Sequence, residues 1–166
     1  MLDRLREALF STLVPWLPEA SVLDLFAGSG SLGLEALSRG ARRLHCVESD
    51  PAAARLIEDN ARLLGEEERV AVVRGDALDP VNWGAEPFDI AFLDPPYPLL
   101  DWRGARAAIF QSIRELLAEH ARPEAVVVYH APRGRVSSAE LGGLLTRSRD
   151  YGSGTLWYVQ REDEPA

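Results

Sequence analysis

The succession of apolar runs and amphipathic segments predicts an α/β fold: a doubly wound, mostly parallel, seven-stranded sheet closed by an antiparallel C-terminal hairpin. Three observations predict it. Short apolar runs alternate with segments of helical periodicity along the chain, a glycine-rich turn joins the first run to a helix, and the last two runs face each other across Gly152 and Gly154. Strands alternating with helices in this way bury both faces of a sheet and link parallel strands by crossovers.

Taken in order, residues 3–15 read as a first helix, capped by Asp3 and carrying Leu5, Leu9 and Leu13 at helical spacing. The run 21–26 reads as a buried strand, 27–33 as the glycine turn and 34–39 as the body of the next helix. A strand over 43–47 ends at Glu48. Asp50 followed by Pro51 opens a helix with Leu56, Ile57, Asn60, Leu63 and Leu64, because proline is pre-organised for the first helical position. Then come a strand over 70–74, a turn-rich stretch around Pro80 and Trp83, and a strand over 88–93. A loop at 98–104 and a helix over 105–120 lead to a strand over 125–129. A short helix over 138–144 and a hairpin of 145–150 with 155–160 close the fold. The 166 residues, 46% hydrophobic, suit one domain over 1–166, with a loose charged tail at 161–166.

The most informative local pattern is Asp94-Pro95-Pro96-Tyr97 at the mouth of the 88–93 run. Proline fixes its own φ and keeps the preceding residue extended, so the carbonyls of Asp94 and Pro95 are held in a fixed direction. They accept hydrogen bonds and, with the carboxylate, form an acceptor site beside an aromatic ring. That set suits an exocyclic amino group on a flat nucleobase. Such an amine is a poor nucleophile; holding both hydrogens in acceptors favours a pyramidal nitrogen, and the proton can leave late to the carboxylate or to water. The plain alternative is a turn after a strand.

Gly28, Gly30 and Gly33 fit the spacing G-x-G-x-x-G, which permits a tight turn, close backbone approach to a ligand and close helix packing at the third position. Nicotinamide and S-adenosylmethionine enzymes both use such a turn. Glu48 at the end of the second strand can accept both hydroxyls of a ribose, which fits either cofactor. Asp24 separates them: a carboxylate just before the turn repels a pyrophosphate and suits the ammonium and sulfonium end of S-adenosylmethionine. Asp76, after the third strand, offers a carboxylate for an adenine amino group. For Asp24 the competing reading is a strand-end carboxylate bonded to nearby backbone NH groups.

With these residues and the run from Val22 to Ala41 in hand, the chain resembles the bacterial 16S ribosomal-RNA guanine-N2 methyltransferases. Arg4 to Phe10 look like the first helix of that family, and Tyr151-Gly152 resembles its closing strand region. The resemblance implies a class I, Rossmann-like methyltransferase that uses S-adenosylmethionine, releases S-adenosylhomocysteine and takes 16S rRNA as partner, as a monomer acting on the small subunit or an assembly intermediate. It implies Asp94, Pro95, Pro96 and Tyr97 as the target-amine site. The cofactor site would comprise Asp24, Phe26, Ala27, Gly28, Ser29, Gly30, Glu48, Ser49, Asp76 and Ala77. One departure concerns the start: family members carry a basic segment and an Arg-Pro-Thr stretch before the first helix, whereas this sequence begins Met1-Leu2-Asp3. Weak independent affinity for RNA is expected from that.

Charge points the same way, since a net charge of −8 repels nucleic acid at long range. Every basic residue is arginine, and Arg103, Arg106, Arg133, Arg135, Arg147 and Arg149 are candidates for phosphate contacts. His45, His120 and His130 stand on three different elements without a metal-ligand spacing, so no metal is expected. His130 follows the 125–129 strand; it could line the same mouth as the other strand ends, but it reads more simply as a partly exposed strand-end histidine. Cys46 reads as a small core residue. No apolar run approaches the roughly 20 residues of a membrane span, and a cytoplasmic location is expected. Three alternatives stay open: an adenine-N6 or cytosine-N4 methyltransferase, a nicotinamide oxidoreductase, and a catalytically silent cofactor-binding scaffold.

Overall fold

The computed structural model describes residues 3–162, so residues 163–166 of the expected tail lie outside it. Among the described residues four α-helices and seven strands follow in the order α1 (Asp3–Leu13), β1 (Ser21–Leu25), α2 (Ser31–Ser38), β2 (Arg43–Glu48), α3 (Pro51–Leu63), β3 (Val70–Arg74), β4 (Phe88–Leu93), α4 (Arg103–Glu115), β5 (Ala121–Pro132), β6 (Leu144–Tyr151) and β7 (Gly154–Arg161). The seven strands form one sheet in the order β3-β2-β1-β4-β5-β7-β6. The first five in that order run parallel, while β7 is antiparallel to both β5 and β6.

Side-chain alternation along the strands divides the core into two layers. Val22, Leu44, Cys46, Ile90, Phe92, Val126 and Val128 point to one face, where Leu5, Leu9, Phe10 and Leu13 of α1 and Ile57 and Ala61 of α3 cover them. Phe10 meets Phe92 edge-on, with ring centroids 6.0 Å apart. Leu23, Leu25, Val47, Ala91, Leu93, Val127 and Tyr129 point to the other face, under Ile109, Phe110 and Ile113 of α4. Cys46 is fully buried in the first layer, as expected. Asp50 caps α3 by accepting from the Ala53 NH at 2.8 Å, with Pro51 in the first turn.

Several boundaries differ from the sequence reading. The loop predicted over 98–104 contains a 3-10 turn, Tyr97–Asp101, and α4 starts at Arg103. The predicted helix end at His120 is a π-helical turn, Leu116–His120. The short helix is the 3-10 segment Ser138–Leu141, after which β6 begins at Leu144. Most consequentially, β5 extends from Ala121 to Pro132 rather than from 125 to 129. Its pairing with antiparallel β7 continues through His130 and Ala131 to Pro132, and those hydrogen bonds keep the chain extended beyond the apolar run.

The strand order changes direction between β1 and β4, which leave their shared boundary with crossovers on opposite sides. A crevice therefore opens beyond the carboxyl ends of these two strands.

Candidate functional site

The glycine turn begins where β1 ends. Phe26 has φ 60 and Gly28 φ 59, and Gly30 enters α2 with φ 80. A non-glycine residue in the left-handed region is strained and persists only when its surroundings hold it. Here Phe26 packs against the α4-side core, while the Ala27 NH donates to the Val47 carbonyl at 3.2 Å. Asn60 of α3 donates to the Ser29 carbonyl at 3.2 Å, a tether that sequence reading did not single out. The three glycines differ in what surrounds them. A Cβ on Gly33 would lie 2.4 Å from Leu44 Cδ1, and one on Gly30 would lie 3.0 Å from Ile57 Cγ2. One on Gly28 would meet nothing within 4 Å. The third glycine thus lets α2 lie against β2, the second lets α3 approach, and the first leaves backbone open to the crevice.

Three carboxylates stand on or just after the first three strands, and two of them, Glu48 and Asp24, bond the turn and the start of α2. Glu48 accepts from the Gly28 NH at 3.0 Å through Oε2 and from the Asp50 NH at 3.3 Å through Oε1, so it links the glycine turn to the start of α3. Ser49 beside it is exposed. Asp76 accepts from the Leu78 NH at 2.9 Å and is otherwise exposed at the end of β3. Ala77 is buried, and its carbonyl accepts from the Trp83 indole at 2.8 Å. Asp24 is 1% exposed within β1, accepting from the Gly33 NH at 3.2 Å. The backbone bond expected of the competing reading is therefore present. Burial pushes the Asp24 carboxyl well above the ordinary carboxylate range; the Gly33 NH opposes this, and the neighbouring Asp94 and Glu48 charges add to it. A cation placed here would relieve that cost.

Register brings Asp94 to the same place. Leu25 pairs with Leu93, so the residue after β4 stands beside Phe26 at the start of the glycine turn. Asp94 follows Phe92 by two residues and shares its sheet face, which is also that of Asp24. Its side chain is 34% exposed, so it is not sealed in the core. Pro95 is buried, whereas Pro96 is exposed and Tyr97 is 39% exposed. Burial, reinforced by Asp94, raises the Tyr97 hydroxyl above its ordinary pKa, which keeps it a neutral donor.

Of the two sequence readings of His130, a place at the mouth beside the other strand ends is the one that holds, and the exposed position is the one corrected. His130 is not a partly exposed residue past the strand: it is buried inside β5, with Nδ1 2.9 Å from Asp94 Oδ1 and Nε2 3.3 Å from the Tyr97 hydroxyl. Because Leu93 pairs with Tyr129, the next residues along, Asp94 and His130, fall side by side on one face. The sequence signal was parity: His130 lies four residues beyond Val126, the partner of Ile90, as Asp94 lies four beyond Ile90.

The arrangement is an open glycine backbone, acidic groups suited to a ribose, an amine or a cation, and an acceptor site with an aromatic ring along one rim. The cavity lined by Ser21, His45, Trp83 and Phe88 lies at the opposite ends of the strands and shares no residue with it. Among the described residues, no group of three or more His, Cys, Asp and Glu side chains could hold a metal ion. Among those same residues, no helix is long and apolar enough to cross a membrane.

A family model described as conserved hypothetical protein 95 matches residues 1–160. The chain is similar to ribosomal RNA small subunit methyltransferase D of Haemophilus influenzae, 42% identical over 101 residues, or 57% of this chain and 51% of that relative. It is also similar to the Bacillus subtilis protein named "Putative rRNA methyltransferase YlbH", 35% identical over 170 residues, or 96% of this chain and 86% of that one. Among solved structures, "Putative methyltransferase yhhF from Escherichia coli" superposes with a TM-score of 0.80 at 30% identity, over 98% of this chain and 86% of that chain. The match to the first of these relatives spans about half of its length, 51%.

Proposed function

We propose, from the premise that this chain belongs to the conserved hypothetical protein 95 family, that it transfers a methyl group from S-adenosylmethionine to the exocyclic N2 of a guanine in 16S rRNA. The observation that carries the reading is the pairing of Leu25 with Leu93, which sets the glycine turn and Asp94 side by side at one crevice. The methyltransferase names of the relatives support the reaction class, and that of the Haemophilus influenzae relative supports the small-subunit RNA. We take residues 1–166 as one methyltransferase unit, monomeric and cytoplasmic, acting on rRNA within a small subunit or an assembly intermediate. Guanine rather than adenine or cytosine rests on the family resemblance, since the acceptor set recognises an amine and not a particular ring.

S-adenosylmethionine supplies an electrophilic methyl on a sulfonium. In this chain Glu48 would take the ribose hydroxyls, Asp76 the adenine amine, and the open backbone at Gly28 the close approach of the nucleoside; Phe26, Ala27, Ser29, Gly30, Ser49 and Ala77 shape the wall. Asp24, which burial holds toward its neutral form, would become a carboxylate as positive charge enters beside it. Asp94 and the Pro95 carbonyl would hold the two amine hydrogens while the base, turned out of its helix, stacks on Tyr97. Position and electrostatics carry such a displacement, and Asp94 receives the proton as the new bond forms.

The test is incubation of the purified chain with labelled S-adenosylmethionine and under-methylated small subunits, followed by mass mapping of the modified nucleotide. Label in one guanine of 16S RNA is expected. Asp94→Ala should lower turnover by about 10²-fold or more while calorimetric affinity for S-adenosylhomocysteine stays within about threefold. Retained turnover in that variant, or binding of NAD in preference to S-adenosylhomocysteine, contradicts the assignment.

A further inference from the structure

The Asp94 carboxylate and the Tyr97 hydroxyl share one partner that the proposed chemistry leaves unused. The His130 ring bonds Asp94 Oδ1 through Nδ1 at 2.9 Å and approaches the Tyr97 hydroxyl through Nε2 at 3.3 Å, with the two rings edge-to-face at 5.7 Å between centroids. Its side chain is only 11% exposed. The space it occupies is made by a third strand: a Cβ on Gly154 of β7 would lie 2.5 Å from His130 Nε2 and 3.3 Å from the Tyr97 hydroxyl. Any larger residue there would displace the ring from both partners.

Donor and acceptor roles follow from the groups themselves. An ionised carboxylate only accepts, so Nδ1 carries a hydrogen; in the neutral ring Nε2 then accepts from the Tyr97 hydroxyl. That tautomer is set by the partner on the far side of the ring. The bond to Oδ1 leaves the other oxygen of Asp94 for the crevice, and the same ring fixes the tip of the aromatic platform.

We propose that His130 is a positioning residue for the target amine: it selects which Asp94 oxygen faces the substrate and locks the Tyr97 ring to that carboxylate before the base arrives. This rests on the methyl-transfer reading. It adds that amine acceptor and stacking ring act as one preassembled unit, through a residue touching neither cofactor nor base.

Three variants separate the two bonds. An asparagine amide can stand where Nδ1 stands, and a glutamine amide reaches toward Nε2. With under-methylated small subunits and S-adenosylmethionine as substrates, His130→Ala should lower kcat about 10- to 100-fold with calorimetric affinity for S-adenosylhomocysteine unchanged. His130→Asn should recover most of kcat but keep a raised KM for the subunits. His130→Gln should recover KM and not kcat. A wild-type kcat in His130→Ala overturns the proposal, and so do asparagine and glutamine variants indistinguishable from alanine, which would mark the ring as packing alone. A second measurement stands independent of activity: long-range ¹⁵N–¹H correlation of the unliganded protein should show His130 with hydrogen on Nδ1, and Asp94→Ala should move it to Nε2. If wild type transfers no methyl but shows that tautomer and its loss, the reaction assignment fails while the His130–Asp94 coupling stands; hydrogen on Nε2 in wild type overturns the coupling itself.

Discussion

Gly28 and Gly33 stand on the same turn, yet alanine at each should fail for opposite reasons. At Gly33 the added methyl would sit 2.4 Å from Leu44 Cδ1 and 2.7 Å from Cδ2, and Leu44 is fully buried on an interior strand. Carbon atoms prefer roughly 3.5–4.0 Å, so α2 must lift from the sheet or Leu44 must leave its rotamer. Overpacking of this kind costs about 1–3 kcal/mol. Replacing glycine inside a helix returns up to about 1 kcal/mol. At the middle of those two ranges the net loss is about 1.5 kcal/mol, which should lower Tm by roughly 3–6 °C for a chain of this size. Gly33→Ala with Leu44→Val should lose less than the sum of the two single changes, since they share one space. Gly28→Ala meets no atom within 4 Å but is held at φ 59, a strain of about 1–2 kcal/mol. Its methyl would project where ligand backbone contact is proposed, so affinity for S-adenosylhomocysteine should fall about tenfold or more, against less than about threefold for Gly33→Ala. Thermal unfolding and calorimetry on both variants check this. A Gly33→Ala protein as stable as wild type would refute the close approach of α2 to β2; unchanged affinity in Gly28→Ala would refute the open backbone as a ligand surface.

Two further outcomes follow from buried polar groups. Because burial raises the Asp24 carboxyl in the fold above its unfolded value, the unliganded protein binds more protons than the unfolded chain, and stability falls as pH rises from the unfolded pKa through the folded one. Asp24→Asn should flatten that limb in urea titrations and raise stability at pH 7 by about 1 kcal/mol, while weakening S-adenosylmethionine more than uncharged-sulfur S-adenosylhomocysteine; an unchanged pH profile would remove Asp24 as its source. The Tyr129 hydroxyl is buried and has no hydrogen-bond partner among the described residues, and burial drives its pKa upward. Tyr129→Phe keeps the edge-on packing on Phe110 at 6.0 Å and should leave stability within about 0.5 kcal/mol or raise it; a loss beyond that in denaturant unfolding would reveal a partner for the hydroxyl.

The rim was legible because its members sit at strand ends, and strand ends are marked by where apolar runs stop. Glycine spacing gave the turn, and Asp50-Pro51 gave the start of α3. What stayed hidden depended on register. Whether His130 lies beside Asp94 or one residue away is decided by the pairing of Leu93 with Tyr129, and a slip of one residue would turn the ring to the opposite face. The extent of β5 was hidden for the same reason, since its last residues are kept extended by β7, some 25 positions later, and not by their own composition. The state of Asp24 was equally out of reach: the side chain suits a cation, but its burial and its bond to the Gly33 NH come from the packing of α2.

Charge looks different once the partners are known. The sequence sets Arg133, Arg135, Arg147 and Arg149 against one nearby acid, Glu140. In the fold Glu140 pairs with Arg106 at 2.7 Å, while Arg135 finds Asp101 at 2.5 Å and Arg133 finds Asp150 at 3.2 Å. Of the six arginines considered for phosphate contact, Arg103, Arg147 and Arg149 alone have no ion pair among the described residues. Exposed pairs are weak, so Arg133 and Arg135 can be recruited at small cost, but each recruitment uncovers a carboxylate facing the same phosphate. With a net charge of −8 behind them, these contacts favour a target already held in shape, where a few well-placed forks suffice, over loose RNA that must be gathered by long-range attraction. If the proposed function holds, an ordered ribonucleoprotein surface would meet that condition and relieve the protein of ordering the RNA itself. Under the proposed function, the work left to the crevice would be local: to receive one displaced base against Asp94 and Tyr97.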